Sequence, residues 1–178
     1  MMKDKKKLIG EERRKQILHW LQSEETPLTG NELAERAQVS RQVIVGDITL
    51  LKARGVPIMA TSQGYVYLNI QEDTDAERIV ACLHPPDQTK EELLLLVDLG
   101  VLVKDVRIEH PVYGDLTASI MVSNRKEALQ FLEKINETKA AYLSELTEGV
   151  HLHTLSAKDS ATLDEAEQAL RHAGFLLE

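Results

Sequence analysis

Thr29-Gly30-Asn31-Glu32-Leu33-Ala34-Glu35-Arg36-Ala37-Gln38-Val39-Ser40-Arg41-Gln42-Val43-Ile44-Val45-Gly46-Asp47-Ile48-Thr49-Leu50-Leu51 decides the fold of the first part of the chain. Thr29 followed three residues later by Glu32 reads as a capping box that starts a helix. Leu33, Ala34 and Ala37 lie on one face of it. Gln38-Val39 is a brief turn. Ser40 is a good N-cap for a second helix, with Ile44, Ile48 and Leu51 as its apolar stripe and Gly55 as its stop. Upstream, Glu11 to Gln22 carries Ile17, Leu18 and Leu21 at helical spacing, and Pro27-Leu28 breaks the chain. Downstream, Pro57–Thr61 and Tyr65–Leu68 read as strands joined at Ser62-Gln63-Gly64. Helix, helix, turn, helix, hairpin is the order of a winged helix-turn-helix.

Such a unit suits duplex DNA, because the major groove admits one helix whose early residues reach base edges. With Ile44, Ile48 and Leu51 turned inward, Arg41, Gln42, Val45 and Thr49 face outward. Arg41 suits a guanine or a phosphate, Gln42 an adenine, and Val45 with the Thr49 methyl a thymine methyl. Ser40 starts this helix. Lys52, Arg54 and the N-terminal Lys3, Lys5, Lys6 and Lys7 are phosphate candidates, which position without specifying. The alternative is a small helical domain that contacts another protein. The segment Ser40–Leu51 resembles the recognition helix of biotin ligase-repressors and related bacterial regulators. Gly46 departs from that pattern, since it stands at an outward position where a long polar side chain is expected.

The 178 residues carry a net charge of −8, which as an average speaks against nucleic acid. Divided after Ile70, the chain is uneven. Residues 1–70 hold eleven Lys and Arg against eight Asp and Glu, a net of +3; residues 71–178 hold ten against twenty-one, a net of −11. A basic reader followed by an acidic unit of another purpose fits this asymmetry. The expected organisation is a winged helix over 1–70, a polar linker over 71–75 and a second domain over 76–178. Aromatic residues are 4% of the chain, too few for a single-strand stacking platform. One cysteine, Cys82, excludes an intrachain disulfide and a cysteine-rich zinc site. The basic N-terminus lacks the apolar run of a signal peptide, and Leu93–Val103, broken by Asp98, is too short to span a membrane. The expected compartment is the cytoplasm, with no membrane partner.

The second part reads as α+β. Strands are expected over Glu77–Leu83, Leu102–Glu109, Leu116–Val122, Val150–Leu155 and Phe175–Leu177. Helices are expected over Thr89–Leu99, Asn124–Lys139 and Lys158–Ala173. The order βαββαβ is that of a ferredoxin-like split sandwich, extended here by one αβ unit. Four of the six histidines fall between His84 and His153. His151 and His153 are two apart on one strand, so both side chains leave the same face. With a third imidazole from a strand end, His84 or His110, and a carboxylate, they suffice for a metal such as zinc, nickel, iron or copper. Glu92 follows the turn after His84 and is a candidate carboxylate. Thr89-Lys90-Glu91-Glu92 is also a capping box, which would tie Glu92 to its own helix.

The segments from His84-Pro85-Pro86 to Glu92-Leu93, Glu109-His110-Pro111-Val112-Tyr113-Gly114-Asp115 and Glu148-Gly149-Val150-His151-Leu152-His153-Thr154 together resemble the three-histidine (3H) regulatory domain. With the winged helix in front, the chain from about Glu11 to Leu177 is similar to niacin-responsive transcriptional repressors of NiaR type. The resemblance implies a homodimeric repressor of double-stranded operator DNA, with nicotinic acid as co-repressor and NAD-biosynthesis or niacin-uptake genes as targets. It implies a divalent metal, nickel or zinc, at positions matching His84, Glu92, His151 and His153, which raises Glu92 from cap to ligand. It places His110 and Tyr113 near the same pocket, where they would hold the pyridine carboxylate. Two alternatives are a metalloregulator whose metal is itself the signal and a metal-dependent hydrolase with a DNA-targeting module. The absence of a His-Glu-x-x-His helix and of a nucleophile motif weighs against an enzyme.

Overall fold

The structure, a computed structural model, describes residues 10–68 and 75–178. Lys3, Lys5, Lys6, Lys7 and the expected linker 71–75, save Asp75, lie outside the described residues. The fold is α+β, in two compact units that divide between Gln71 and Glu72.

The first unit is a winged helix-turn-helix: α1 (Gly10–Ser23), α2 (Gly30–Ala37), α3 (Arg41–Ala53), β1 (Ile58–Thr61) and β2 (Gly64–Tyr67). The capping box forms: the Glu32 N–H donates to Thr29 Oγ1 at 3.1 Å, and the Thr29 N–H donates to the Glu32 carboxylate at 2.7 Å. Ser40 caps α3, accepting from the Val43 N–H at 3.4 Å. Caps of this kind each contribute about 1 kcal/mol. Ile17, Leu21, Leu33, Ile44, Ile48 and Leu51 close one core over the three helices. Gly64 is required by a close approach. A Cβ there would lie 2.6 Å from the carbonyl oxygen of Leu28, which forms an isolated bridge to Tyr65 beside the wing.

Ion pairs in this unit were not legible beforehand. Asp47, buried on the inner side of α3, takes Arg13 Nε at 2.5 Å and Arg14 Nη1 at 3.0 Å, tying α1 to α3. Arg54, a phosphate candidate by sequence, is engaged by Glu11 through two bonds of 2.7 and 3.1 Å. Gly46 has no such internal reason. A Cβ there meets nothing within 4 Å. Gly46→Ala is therefore expected to stabilise the unit by about 1 kcal/mol, read as a higher urea midpoint.

The second unit runs β3 (Ala76–Leu83), α4 (Thr89–Asp98), β4 (Leu102–Val103), β5 (Val106–His110), β6 (Gly114–Ala118), α5 (Arg125–Thr138), β7 (Val150–Ala157) and α6 (Ser160–Ala173). Short 3-10 turns occupy Pro86–Gln88 and Leu143–Thr147. The sheet is antiparallel in the order β3-β7-β5-β6, and β4 pairs β7. β3 and β5 are parallel with β7 between them, so the first βαβ unit is split, as the element order led one to expect. Of the expected last strand, Leu176 alone forms a bridge, to Cys82. The helices cover one face. Val80, Cys82, His151, His153 and Leu155 point into the core with α4, α5 and α6, while Ile79, Leu83 and Val150 are exposed on the other face.

The strand expected over Leu102–Glu109 is broken. Val103 pairs Leu155 and Arg107 pairs Leu152, so the β4–β5 side carries one extra residue, a bulge at Lys104-Asp105. The return strand expected over Leu116–Val122 is β6, which starts earlier and ends at Ala118; Val122 survives as a bridge to Val103. Among the described residues, no helix is long and apolar enough to cross a membrane.

Candidate metal centre and DNA interface

Three imidazoles meet one carboxylate in the second unit. His84 follows the end of β3, His151 and His153 lie on β7, and Glu92 lies in α4; all four are buried. His84 Nε2 is 2.7 Å and His153 Nε2 3.3 Å from Glu92 Oε2, and His151 Nε2 is 3.4 Å from Glu92 Oε1. The opposite nitrogens are all spoken for by backbone carbonyls. Nδ1 of His84 donates to Pro85 at 2.9 Å, Nδ1 of His151 to Gly149 at 2.8 Å, and Nδ1 of His153 to Asp105 at 2.6 Å. A carbonyl accepts only, so each Nδ1 carries the proton and each Nε2 has its lone pair free in the neutral ring. The bulge at Lys104-Asp105 supplies the third of these carbonyls.

Lone pairs facing a carboxylate at these distances repel one another unless positive charge lies between them. The spot therefore calls for protons on Nε2 or for a cation. Glu92 Oε1, within a residue only 1% exposed, makes no hydrogen bond among the described residues, which is the orphaned atom a cation would satisfy. The donor chemistry of imidazole and carboxylate suits a first-row divalent metal.

The electrostatics agree. Burial works against a charge on His84 and His153, but the Glu92 carboxylate outweighs it and holds both above the ordinary histidine value. Burial alone would raise the Glu92 carboxyl. The charge of His153 and the facing imidazoles of His151, His153 and His84 hold it well below its ordinary range. Two consequences have definite signs. In the metal-free protein, the stabilisation from the raised imidazoles is full below the ordinary histidine pKa and is lost as pH rises through the raised values. Metal must displace the same protons, so its affinity falls as pH falls, starting above the ordinary histidine range. Calorimetry of metal binding at several pH values, in buffers of different ionisation heat, reads both the decline and the proton release.

Glu92 does not cap its helix. The 3-10 turn Pro86–Gln88 shifts the start of α4 by one residue, so Gln88 is the N-cap and makes no side-chain cap bond. Thr89 and Glu92, three apart, then share the face of α4 that lines a cavity of about 210 Å³. Thr89 Oγ1 is buried and unpartnered among the described residues. Apolar side chains form most of the wall, among them Val106, Ile120, Phe131, Ile135 and Leu143, with the three imidazoles at one side. His110 and Tyr113 are not among the lining residues. They stack on each other at the β5–β6 turn with centroids 5.0 Å apart, and Tyr113 is 74% exposed. His110 Nδ1 accepts from the Val112 and Tyr113 N–H groups, the opposite proton arrangement from the three clustered rings.

Residues 77–178 match the 3H domain family and residues 13–66 match an HTH domain family. The chain is 62% identical over 178 residues to the transcription repressor NadR of Bacillus subtilis (strain 168), covering 99% of each. It is 41% identical over 172 residues to the probable transcription repressor NiaR of Thermotoga maritima, covering 97% of each. The chain belongs to the NadR/NiaR-type transcription repressors. It is a DNA-binding repressor, and α3 is the second helix of its helix-turn-helix. Arg41, Gln42, Thr49 and Lys52 are exposed there, and Val45 is half-buried. Among the described residues, Arg41 and Lys52 have no ion pair, in contrast to Arg13, Arg14 and Arg54. Thr49 donates its hydroxyl to the Val45 carbonyl at 2.8 Å. The repressor also exposes Val43 and Leu50 on α3, which the apolar-stripe reading did not single out.

Proposed function

We propose that this repressor is gated by nicotinic acid acting as co-repressor, controls genes of NAD biosynthesis or niacin uptake, and binds operator DNA as a homodimer in the cytoplasm. His84, Glu92, His151 and His153 hold a divalent metal, nickel or zinc. The observation that carries this reading is the convergence of three Nε2 atoms and one buried carboxylate on the wall of an otherwise apolar cavity. When bound, the metal supplies a fixed positive charge that attracts an anionic or basic ring substituent.

Size supports the ligand class. Pockets for drug-sized molecules run to roughly 300–1,000 Å³. A cavity of about 210 Å³ suits a single-ring acid better than a dinucleotide. The apolar wall takes the flat ring, and Thr89 Oγ1 offers a hydrogen bond that no described residue uses. Thr89→Val keeps the shape and removes that hydroxyl. It is expected to weaken nicotinic acid binding about tenfold, the worth of one hydrogen bond to a charged group, with metal content unchanged. Gating requires that the acid bind the DNA-competent form more tightly than the incompetent one.

The test is calorimetric titration of metal-loaded and metal-stripped protein with nicotinic acid, nicotinamide and NAD. Binding of the acid to the loaded protein alone, with no binding of NAD, is the expected pattern. An acid that does not bind the loaded protein refutes the reading. If metal without the acid switches DNA affinity, the metal is itself the signal.

A further inference from the structure

We propose that Cys82 is a further donor to the metal centre, adding one sulfur ligand to the imidazoles and the carboxylate. This rests on the metal reading above and extends it to a residue outside the three-histidine motif. Cys82 lies on β3, directly opposite His151 in the strand register, and is fully buried. Its Sγ, a Glu92 carboxylate oxygen and a His151 ring nitrogen all lie within 4.8 Å of one another. Zinc-type bonds of about 2.3 Å to sulfur and 2.0–2.1 Å to nitrogen or oxygen place two donors of one tetrahedral ion about 3.4–3.6 Å apart. The three atoms therefore need to close by about 1.4 Å at most to share an ion, within the reach of small side-chain rotations. The independent pointer is Glu92 Oε1, buried and without a hydrogen-bond partner among the described residues. The donor is specific to its register position. The other inward residue of β3 beside the cluster is Val80, opposite His153, which offers no ligand atom.

Binding exchanges the Cys82 S–H proton for a sulfur–metal bond, so one proton leaves with each ion bound there. A sulfur donor biases the centre toward zinc, cobalt or nickel and away from magnesium, calcium or manganese. In a purely structural role, Cys82 would keep its proton beside the Glu92 carboxylate in the core of β3 and α4.

Cobalt(II) titration of the metal-stripped full chain separates the two roles by absorption spectroscopy. The expected result is a sulfur-to-cobalt charge-transfer band in the near ultraviolet alongside the visible d–d bands. Cys82→Ser should keep the visible bands, lose the charge-transfer band and bind cobalt about tenfold or more weakly. Visible bands without a charge-transfer band in the wild-type protein overturn the proposal, as does a charge-transfer band that survives in Cys82→Ser. Failure to bind cobalt at all overturns the metal centre itself. If Cys82→Ser does not fold, X-ray absorption at the zinc edge of the wild-type protein decides alone. A sulfur scatterer at about 2.3 Å supports the proposal, and a shell of nitrogen and oxygen only refutes it.

Discussion

Glu92→Gln should weaken divalent-metal binding by about a hundredfold or more. Partners that merely orient metal ligands already cost about 10–100-fold when removed. Glu92 does more, because it is the carboxylate on which all three Nε2 atoms converge. Glutamine keeps the volume, so the core made by Leu93 and Leu96 on the same helix is undisturbed. What disappears is the negative charge, and with it the force that holds His84 and His153 above their ordinary pKa. The imidazoles then give up their protons rather than stay charged and buried, which limits the loss of stability. Metal content by atomic emission after dialysis, with thermal melting of the metal-free protein as a control for folding, checks this. Full metal retention would show that the ion sits elsewhere.

Gly149→Ala should destabilise the second unit by about 3 kcal/mol or more and take the metal centre with it. Gly149 has φ +94°, a conformation that costs other residues on the order of 1–3 kcal/mol. A Cβ there would lie 3.1 Å from the His84 carbonyl carbon and closer still to its oxygen, which are backbone atoms that cannot swing aside. The chain at Gly149 lies against His84 because its carbonyl accepts from the His84 N–H at 3.5 Å, and the same carbonyl accepts from His151 Nδ1 at 2.8 Å. The glycine thus serves two of the three imidazoles at once. A urea unfolding curve and metal stoichiometry should change together. An unchanged midpoint would contradict the close approach.

Much of the first unit was legible because its signals are local. Thr29 with Glu32, Ser40 and the stripe Ile44, Ile48 and Leu51 each act within a few residues, and the structure uses all of them. The pair His151 and His153 was legible for the same reason, since strand period alone sets their common face. The rest depends on contacts distant in sequence. Asp47 looks like a surface acid until α1 brings Arg13 and Arg14 to it. Thr89 to Glu92 looks like a capping box until the 3-10 turn before it moves the helix start. The break at Lys104-Asp105 has no local breaker; it is fixed by the bonds of Asp105 to His153 and Thr154. The cavity wall draws on β5, α5 and the turn near Leu143, so no single stretch announces it. Cys82 was read only as excluding a disulfide and a cysteine-rich zinc site, because its nearness to Glu92 follows from β3 and α4 packing together.

The most direct measurement is binding of the metal-loaded full chain to a palindromic duplex that the protein itself selects from a random pool, with and without nicotinic acid. Nicotinic acid is expected to tighten this binding by about 5–150-fold, the usual range of a coupling free energy of 1–3 kcal/mol, and to do nothing for the metal-stripped protein. Equal affinity with and without the acid, in protein shown to carry its metal, would contradict the account.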